Sequence, residues 1–502
     1  MRPNNRERQN RLRLLSERLG DIAIERDHLL RQLEILDSEA RTVQLEHNTL
    51  KNLVAPISAL TDDALSMIFE AGMHVEQGRG HHFGPLVSHV ARHWRRLALA
   101  IPALWTNIQF LQLPPWLSDP NRYKFEERAA AFLARSRSLP VCISVTGFRE
   151  KHFTGDFLRL IAEHIGHCRY LSLRGSSLDN ASMFLAFITH QTTPLLRSIE
   201  LTGVGDEDDE GLEEDAVNQQ WLLPSLHSIK LPHLRAAQLA GFKTLDFLLP
   251  FRSVTSLRFT GIWIQRDQAY ETFRDGLMSL QSLNHLELQL QNGFGLDSGR
   301  FPMVLPTISF LRIDAADCPS HVNTVLDSIQ AESLISLTLT MWDIEGGGPH
   351  NFTTEKELHF PLLHHLILED IPKDFPNLDS ISRKFPGIKR LTCQVANVEV
   401  NEGFHADHML TAIFCGYDGP PGTVTQWPEL QTLALSQPET PLALQNMTCM
   451  LQNVGHPIRE LMLPQCSSLL AGDVEQAMME LRKLVNVMDY SLDWPMPFEL
   501  FT

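Results

Sequence analysis

The sequence predicts an α/β protein in which a heptad helix and a small helical unit precede a long solenoid of strand–helix repeats. Three observations predict this class: a heptad apolar pattern over residues 12–50, helical apolar patterns over residues 54–110, and an apolar motif that recurs regularly from residue 139 onward. With 502 residues, the chain is too long for one compact core, so several domains or an extended repeat array are expected.

The first element is a helix whose seam residues are spaced alternately three and four apart, as in a heptad repeat. The seam comprises Leu12, Leu15, Leu19, Ile22, Arg26, Leu29, Leu33, Leu36, Ala40, Val43, His47 and Leu50. We predict a coiled-coil-type helix over residues 8–53. Because Arg26 and His47 fit poorly in a dimer seam, two interpretations stay open. The helix either self-associates or folds back, as an amphipathic helix, onto its own chain.

The next segment, residues 54–110, has the pattern of short amphipathic helices. Proline at position 56 ends the first helix, because the residue before a proline disfavours helical backbone. Thr61 or Asp62 can cap a second helix, on which Leu65, Ile68 and Phe69 share one face. A further helix is predicted from about Pro85 to Ile101.

The order of motifs in this segment resembles an F-box. They read Pro-Ile-x-x-Leu, then Leu-x-x-Ile-Phe, then Val-x-x-Val-x-x-x-Trp-Arg, and finally Pro-x-Leu-Trp. The arrangement, with a heptad helix before and repeats after, is similar to F-box-like proteins of mushroom-forming (basidiomycete) fungi. The resemblance implies docking on the Skp-type adaptor of an SCF ubiquitin ligase, which connects the chain to a cullin. The implied adaptor-binding residues are Pro56, Ile57, Leu60, Leu65, Ile68, Phe69, Val87, Val90, Trp94, Leu97, Pro102 and Trp105.

Two positions depart from the family's pattern: Thr61 stands where proline is usual, and Ala91 where cysteine is common. From the residues alone, apolar anchors on a compact helical unit suit a helix-in-groove interface. The alternative is that these residues only close a helical cap on the solenoid.

The repeat motif is an apolar residue, two variable residues, then apolar-x-apolar, often preceded by proline. Its middle apolar residues, the markers, are Ile143, Leu171, Ile199, Ile229, Leu257, Leu286, Leu311, Leu337, Leu366, Leu391, Leu433 and Leu461. Ten of the eleven spacings lie between 25 and 30 residues, close to the roughly 20–29 residues of a leucine-rich repeat. Apolar-x-apolar is typical of a strand, and residues 157–162 and 326–329 are typical of return helices. We predict about eleven to twelve βα repeats over residues 135–490.

Two insertions are expected within the repeats. Residues 206–215 hold eight carboxylates in ten positions, which predicts a solvated acidic loop over 205–215. The 42-residue spacing between Leu391 and Leu433 predicts another insertion over residues 400–426. The alternative to a solenoid is an ordinary α/β domain, but the spacing is regular and a Gly-rich phosphate loop is absent from the sequence.

Composition excludes several classes of function. A formal net charge of −17 disfavours a nucleic-acid binder. The seven cysteines form no C-x-x-C pair, which fits a reducing compartment. Prolines interrupt the most apolar stretch, residues 97–117, and the first residues do not resemble a signal peptide. We therefore expect a cytoplasmic or nuclear chain without membrane or nucleic-acid partners.

Catalytic motifs are not recognisable in the sequence. Five histidines gather at His74, His81, His82, His89 and His93, yet the intervening residues lack the pattern of a metal site. We predict no catalytic residue, metal or cofactor. A protein-binding scaffold is thus expected, and an enzyme whose site is assembled from loops is the remaining alternative.

Target binding is expected on the solvent-facing strand positions of the repeats, which would line the concave surface of a solenoid. These positions include Arg197, Glu200, Lys230, Arg258, Glu287, Arg312 and Glu369. Each of these side chains, taken singly, is expected to be solvated.

Overall fold

In the computed structural model, the chain divides into two compact units, Met1–Leu104 and Trp105–Thr502. The structure describes residues 5–75, 83–111, 123–146, 155–176, 184, 187–188, 193–203, 231, 233–240, 252–262, 267–290, 302–315, 322–340, 359–371, 378–395, 413, 427–436, 441–454, 458–464 and 471–498.

The predicted heptad segment is one continuous helix, α1, Asn5–Val54. Every side chain from Arg6 to Asn52 is exposed. The apolar seam residues keep between 50% and 68% of their surface accessible to solvent. The structure therefore shows the long helix with its seam uncovered, rather than an amphipathic helix with a buried stripe.

Four short helices follow α1 in the first unit. They are a 3₁₀ helix at Pro56–Ala59, α2 at Asp62–Val75, α3 at Phe83–Ser88 and α4 at Arg92–Ala100. The Thr61 hydroxyl accepts a hydrogen bond from the Ala64 N–H at 3.3 Å, so Thr61 caps α2 as one of the two predicted candidates.

The single helix predicted from Pro85 to Ile101 is wrong, because the chain breaks it into α3 and α4. The His89 N–H donates to the Leu86 carbonyl in a tight turn, and Ala91 is extended with φ −151°. An extended residue cannot continue a helix, so α4 starts afresh after Ala91.

Glycine is required where α3 approaches the end of the unit. A Cβ built on the buried Gly84 would lie 2.8 Å from the backbone carbonyl oxygen of Leu104. Backbone cannot move aside as a flexible side chain can. Gly84 thereby allows the close approach of these two segments.

In its described residues, the second unit is built on one sheet of fourteen parallel strands, in which strand order follows chain order. The strands are β1 (Asn107–Leu111), β2 (Val141–Thr146), β3 (Cys168–Ser176), β4 (Ser198–Gly203), β5 (Ala236–Ala240), β6 (Ser256–Ile262), β7 (His285–Leu290), β9 (Phe310–Asp314), β11 (Ser336–Thr340), β12 (His365–Ile371), β13 (Arg390–Val395), β14 (Thr432–Leu435), β15 (Glu460–Leu463) and β16 (Asn486–Asp489). Two short strands, β8 (Met303–Val304) and β10 (Ile329–Gln330), pair separately. Each parallel strand needs a crossover to reach its neighbour, which the intervening segments supply.

Several of these crossovers contain helices in the described residues. They are α5 (Tyr123–Ser136), α6 (Gly155–His164), α7 (Asp267–Met278), α8 (Val322–Ser328), α9 (Asp379–Lys384), α10 (Pro441–Val454) and α11 (Ala471–Leu481), with a 3₁₀ turn at Ile165–His167. Another 3₁₀ turn, Pro102–Trp105, precedes β1. Helix α6 contains the predicted return helix 157–162, and α8 covers residues 326–328 of the predicted helix 326–329, whereas Ile329 begins β10. No helix in the described parts of the chain combines the length and the apolar character that a membrane crossing requires.

The predicted markers form one column across the sheet. Ile143 pairs with Leu171, and Leu171 with Ile199. From Leu257 to Leu461 every marker again pairs with the next one. All eleven described markers are fully buried. Stacked repeats of a leucine-rich-repeat-like solenoid produce such an in-register column.

One marker differs from the prediction. Ile229 lies outside the described residues, and the position between Ile199 and Leu257 is filled by Ala237 of β5. Ala237 is fully buried. Because its side chain is small, the pattern of large apolar residues in the motif did not predict it.

The column also extends beyond the predicted markers at both ends. Ile108 of β1 pairs with Ile143, and Val487 of β16 pairs with Leu461. The sheet therefore begins within the stretch 54–110 that the sequence assigned to the helical unit. Both predicted insertions, 205–215 and 400–426, lie outside the described residues apart from the buried Ile413.

Gly84→Ala should destabilise the helical unit, because the added methyl group would collide with the Leu104 carbonyl. Gly20→Ala is the matched control: an added Cβ there meets nothing within 4 Å, and alanine stabilises an exposed helix by about 0.5–1 kcal/mol relative to glycine. Hydrogen exchange over residues 83–104 should rise in Gly84→Ala and stay unchanged in Gly20→Ala. Equal protection in both variants would contradict the close approach.

Candidate functional site

The first candidate surface lies on the helical unit and is built around a small closed core. Leu65 and Phe69 of α2, Val87 of α3 and Leu97 of α4 are buried. The Phe69 ring packs against the ring of Trp94 with centroids 5.1 Å apart. These contacts join α2 and α4.

The apolar side chains outside this core face solvent. Ile57 and Leu60 are each 39% exposed, Ile68 is 46% exposed and Val90 is 58% exposed. Ile68 is predicted to share one helical face with Leu65 and Phe69, yet it stays exposed while those two are buried. We call Ile57, Leu60, Ile68 and Val90 the apolar docking set.

The structure thus sorts the twelve residues that the F-box resemblance implies. Leu65, Phe69, Val87, Leu97 and Trp105 are buried, Trp94 and Pro102 are half-buried, and Pro56, Ile57, Leu60, Ile68 and Val90 are exposed. Trp105 belongs to the second unit, where its ring lies 4.9 Å from that of Phe132 and beneath the Arg135 guanidinium. Trp105 therefore contributes to the start of the repeats rather than to the core of the helical unit.

A polar contact joins the start of α2 to α4. The Asp62 carboxylate lies 3.1 Å from His93 Nε2 and 3.7 Å from Arg96 Nη2. His93 of the histidine cluster is thereby engaged with the Asp62 carboxylate. His81 and His82 lie outside the described residues, and among those described no three metal-ligating side chains come together.

The second candidate surface is the face of the sheet opposite to the marker column. Strand side chains alternate between the two faces, so the residues on either side of each marker point to this face. It carries five of the seven charged residues expected at solvent-facing positions: Glu200, Arg258, Glu287, Arg312 and Glu369. Arg197 precedes β4 and is exposed, while Lys230 lies outside the described residues.

Glu200 is the centre of one cluster on this face. Its carboxylate accepts hydrogen bonds from the hydroxyls of Tyr170 and Ser172 on β3. The Arg174 guanidinium donates two more, at 2.8 and 3.0 Å. Burial and the neighbouring Glu200 charge raise the pKa of the Tyr170 phenol, which therefore remains a proton donor.

Glu287 is the centre of a second cluster, on β6 and β7. Arg258 Nε donates to it at 2.6 Å, and His285 Nε2 lies 2.7 Å from its other oxygen. Burial favours a higher pKa for Glu287. The hydrogen bonds and charges of His285 and Arg258 outweigh burial and lower the pKa to about 2, so the carboxylate is ionised.

A third ion pair joins strands two apart in the sheet. Arg312 Nη2 on β9 lies 2.7 Å from the Glu369 carboxylate on β12. This carboxylate also accepts a hydrogen bond from the Thr340 hydroxyl. Glu200, Glu287 and Glu369 are all buried. The expectation that these positions are singly solvated is wrong for the three glutamates, because cross-strand partners compensate their charges.

His365 links three strands of the same face. Its Nδ1 lies 3.1 Å from the Ser336 hydroxyl of β11, and its Nε2 lies 3.0 Å from the Thr392 hydroxyl of β13. Burial and the charge of Arg390 lower its pKa to about 3, so the ring is neutral at neutral pH.

A segment without regular secondary structure, residues 490–498, follows β16 and crosses this face; we call it the strap. Near its start, the Asp493 carboxylate pairs with Arg390 Nη1 of β13 at 2.7 Å. Further along, Trp494 and Phe498 are buried against strands β6, β7 and β9. The strap had no counterpart in the sequence prediction, which ended the repeats at residue 490.

The free energy of unfolding of the repeats should decrease as the pH is lowered, because of His365. Its folded-state pKa of about 3 lies below the ordinary value of 6.5, so the unfolded chain binds the proton first. The stabilisation that the neutral His365 ring contributes is complete above about pH 6.5. Below this pH it decreases by at most about 1.4 kcal/mol per pH unit. In urea unfolding at pH 7, 6 and 5, the difference in unfolding free energy between wild type and His365→Gln should shrink as the pH is lowered.

The exposed neighbour His364 supplies the control. His364→Gln should track the wild type at all three pH values. A difference between wild type and His365→Gln that stays constant with pH would contradict a buried neutral ring.

Comparison with known proteins gives structural likenesses but no sequence relatives. No protein-family model matches the chain, and no curated protein matches it. Among solved structures, the chain is similar to the crystal structure of the leucine-rich repeat-containing protein LegL7 from Legionella pneumophila. The identity is 14% over 76% of this chain and 99% of that chain, with a TM-score of 0.34. The description of the repeats therefore rests on the strand order and the register of the marker column.

Proposed function

We propose that the chain is a non-catalytic, target-recruiting subunit of an SCF-type ubiquitin ligase. The helical unit would bind a Skp-type adaptor, and the repeats would bind the protein to be modified. The observation that carries the proposal is the apolar docking set, because these side chains remain exposed although the unit has its own buried core.

The docking set suits a protein partner for an energetic reason. Burial of apolar surface contributes about 25 cal/mol per Å², so apolar residues left at the surface gain free energy when a partner covers them. Their neighbours Met67 and Leu86 are also exposed, at 71% and 51%. Exposed apolar side chains on short helices are the kind of anchors that a groove on another protein accepts. The resemblance to the F-box names the Skp-type adaptor as that partner.

The repeats support the second half of the proposal by their arrangement. A long parallel sheet presents one continuous face of polar, charged and aromatic side chains. Repeat proteins use such extended faces to bind other proteins. The chain would position a target without itself making or breaking bonds.

Variants of the docking set should separate adaptor binding from folding. Ile68→Glu combined with Val90→Glu places two charges where the adaptor would bury apolar surface, so a complex with a purified fungal Skp-type adaptor should be lost. Co-purification followed by size-exclusion chromatography measures the complex. Phe69 and Trp94 make poor probes, since they form the core and their loss would unfold the unit.

The matched control introduces the same charges at exposed leucines of the repeats. Leu362 and Leu442 are 60% and 66% exposed, and the double substitution to Glu should leave the complex intact. A wild-type chain that never binds the adaptor would refute the ligase proposal. Loss of binding in the control pair alone would also contradict the assignment.

A second candidate function is self-association through α1, giving a dimeric scaffold that acts without an adaptor. The exposed seam favours it, because nine apolar side chains of the heptad seam are at least 50% exposed. Two such helices would bury these side chains in a coiled coil.

Seam substitutions should abolish self-association if α1 is a coiled coil. Leu29→Glu with Leu36→Glu puts charges into the seam, so the mass from sedimentation equilibrium should fall to that of a monomer. Ile24→Glu with Ile35→Glu is the control, because both residues are exposed but lie off the seam. A monomeric wild type, or equal loss in both pairs, would exclude the coiled coil.

A further inference from the structure

The strap makes two kinds of contact with the polar face of the sheet. Arg390 holds its beginning, with Nη1 on the Asp493 carboxylate at 2.7 Å and Nη2 on the Ser491 carbonyl at 2.9 Å. The two aromatic side chains of Trp494 and Phe498 hold the remainder, with 9% and 3% of their surface exposed. Charge and aromatic contact thus act at separate points along the strap.

The aromatic contacts are specific to three residues of the sheet. The Trp494 ring lies 5.0 Å from His285 and 5.7 Å from Phe310. The Arg258 guanidinium stacks 4.4 Å over the Phe498 ring, whose centroid lies 5.7 Å from that of His285. A guanidinium over an aromatic face is an attractive cation–π contact. The strap therefore covers the Arg258–Glu287–His285 cluster described above.

The strap is long enough to join the strands that it contacts, and two prolines restrict its backbone. Strands β6 and β13 are five strand positions apart, which is about 24 Å at the usual strand spacing. A fully extended chain reaches about 23–25 Å over the seven steps from Ser491 to Phe498. The strap itself is kinked, because Asp493 has a left-handed backbone with φ 51° and residues 497–498 form a turn. The side chains of Arg390 and Arg258 meet it from the sheet near its two ends. Pro495 and Pro497 restrict the strap between these two points, because proline limits both its own backbone and that of the residue before it.

The contact between strap and sheet leaves polar groups unsatisfied. Among the described residues, His285 Nδ1, Arg390 Nε and the Tyr490 hydroxyl are buried without a hydrogen-bond partner. Buried polar groups without partners oppose burial. An incoming peptide with suitably placed donors and acceptors would satisfy His285 Nδ1 and Arg390 Nε of the sheet, and would thereby gain an advantage over the strap, to which Tyr490 itself belongs.

We propose that this face of the sheet, from β6 to β13, is a peptide-binding site that the strap occupies in place of a ligand. The ligand class is a peptide with an acidic residue followed by an aromatic residue, alternating prolines, and a second aromatic residue four positions after the first. Arg390 recognises the acidic residue, while Arg258, His285 and Phe310 recognise the two aromatic residues. The inference rests on the target-binding half of the proposed function, and names the target segment by its chemistry.

An attached strap competes strongly with a free peptide. Because it is part of the same chain, its effective concentration is on the order of millimolar for a short connection. The apparent affinity of a free peptide falls in proportion to the fraction of molecules with an open site. Opening the strap must therefore tighten the binding of a peptide with the strap's own sequence.

Fluorescence anisotropy with a labelled peptide of residues 489–498 tests the site on the full chain. The Trp494→Ala/Phe498→Ala variant should bind this peptide at least tenfold more tightly than the wild type does. Met496→Ala is the matched control, since Met496 lies between the anchors but is 48% exposed, and it should behave like the wild type. A peptide carrying alanine at both aromatic positions should not bind any of the three proteins.

A second variant covers the case in which loss of the aromatic anchors prevents folding. Pro495→Gly/Pro497→Gly keeps both anchors but loosens the strap, and it should also bind the peptide more tightly than the wild type. Adding Arg390→Ala to either folded open variant should weaken peptide binding at least tenfold.

Two results would overturn the peptide site. One is a folded open variant that does not bind the peptide; the other is equal affinity in the wild type and in the open variants. Adaptor co-purification tests the helical unit independently of the repeats. A negative result for the peptide site would therefore not contradict the proposed adaptor binding. Conversely, loss of the adaptor complex with peptide binding intact would refute only the ligase assignment.

Discussion

One column of buried apolar side chains holds the repeat unit in register. Each strand places one residue of this column, such as Leu286 or Leu366, opposite its counterpart on the next strand. A slip of one residue would move the column to the opposite face of the sheet and bring charged neighbours into the core. The regular spacing of the markers in the sequence reflects this constraint, because each repeat must return the chain to the same position in the next strand.

The same register assembles the polar face. Residues that flank the column point away from it, so Arg258 and Glu287 meet although 29 positions separate them. Burying ionised groups is costly, and their mutual pairing offsets that cost only when geometry is good. Removing one partner would leave the other charge buried and uncompensated. The ion pairs on this face are therefore internal parts of the fold before they are contacts for any ligand.

This distinction decides where the repeats can bind. The Glu200 and Glu369 carboxylates are already satisfied by Arg174 and Arg312. The strap, in contrast, lies on the aromatic and cationic part of the face and leaves polar atoms of His285 and Arg390 unpaired. A surface that holds a segment of its own chain by charge and by two aromatic anchors has the chemistry to hold a similar segment from another protein.

The helical unit follows a different principle. Its core is small, and four short helices cannot bury all the apolar side chains that their sequences carry. Leu65 and Phe69 are inside, whereas Ile68, on the same helix, remains exposed. Such a unit can be closed and still offer an apolar surface. The uncovered seam of α1 presents the same situation on a single long helix.

Local patterns in the sequence were sufficient to determine the long helix and the eleven strands that carry the described markers, because periodicity depends only on near neighbours along the chain. They did not reveal Ala237, whose place in the column depends on pairing with Ile199 and Leu257. They also placed Trp105 with the helical unit, whereas the tertiary structure packs it against Phe132. Which glutamates are buried, and where the strap lies, were decided by contacts between residues far apart in the chain. Arg390 and Asp493 are 103 positions apart, and no pattern within either segment contains the other.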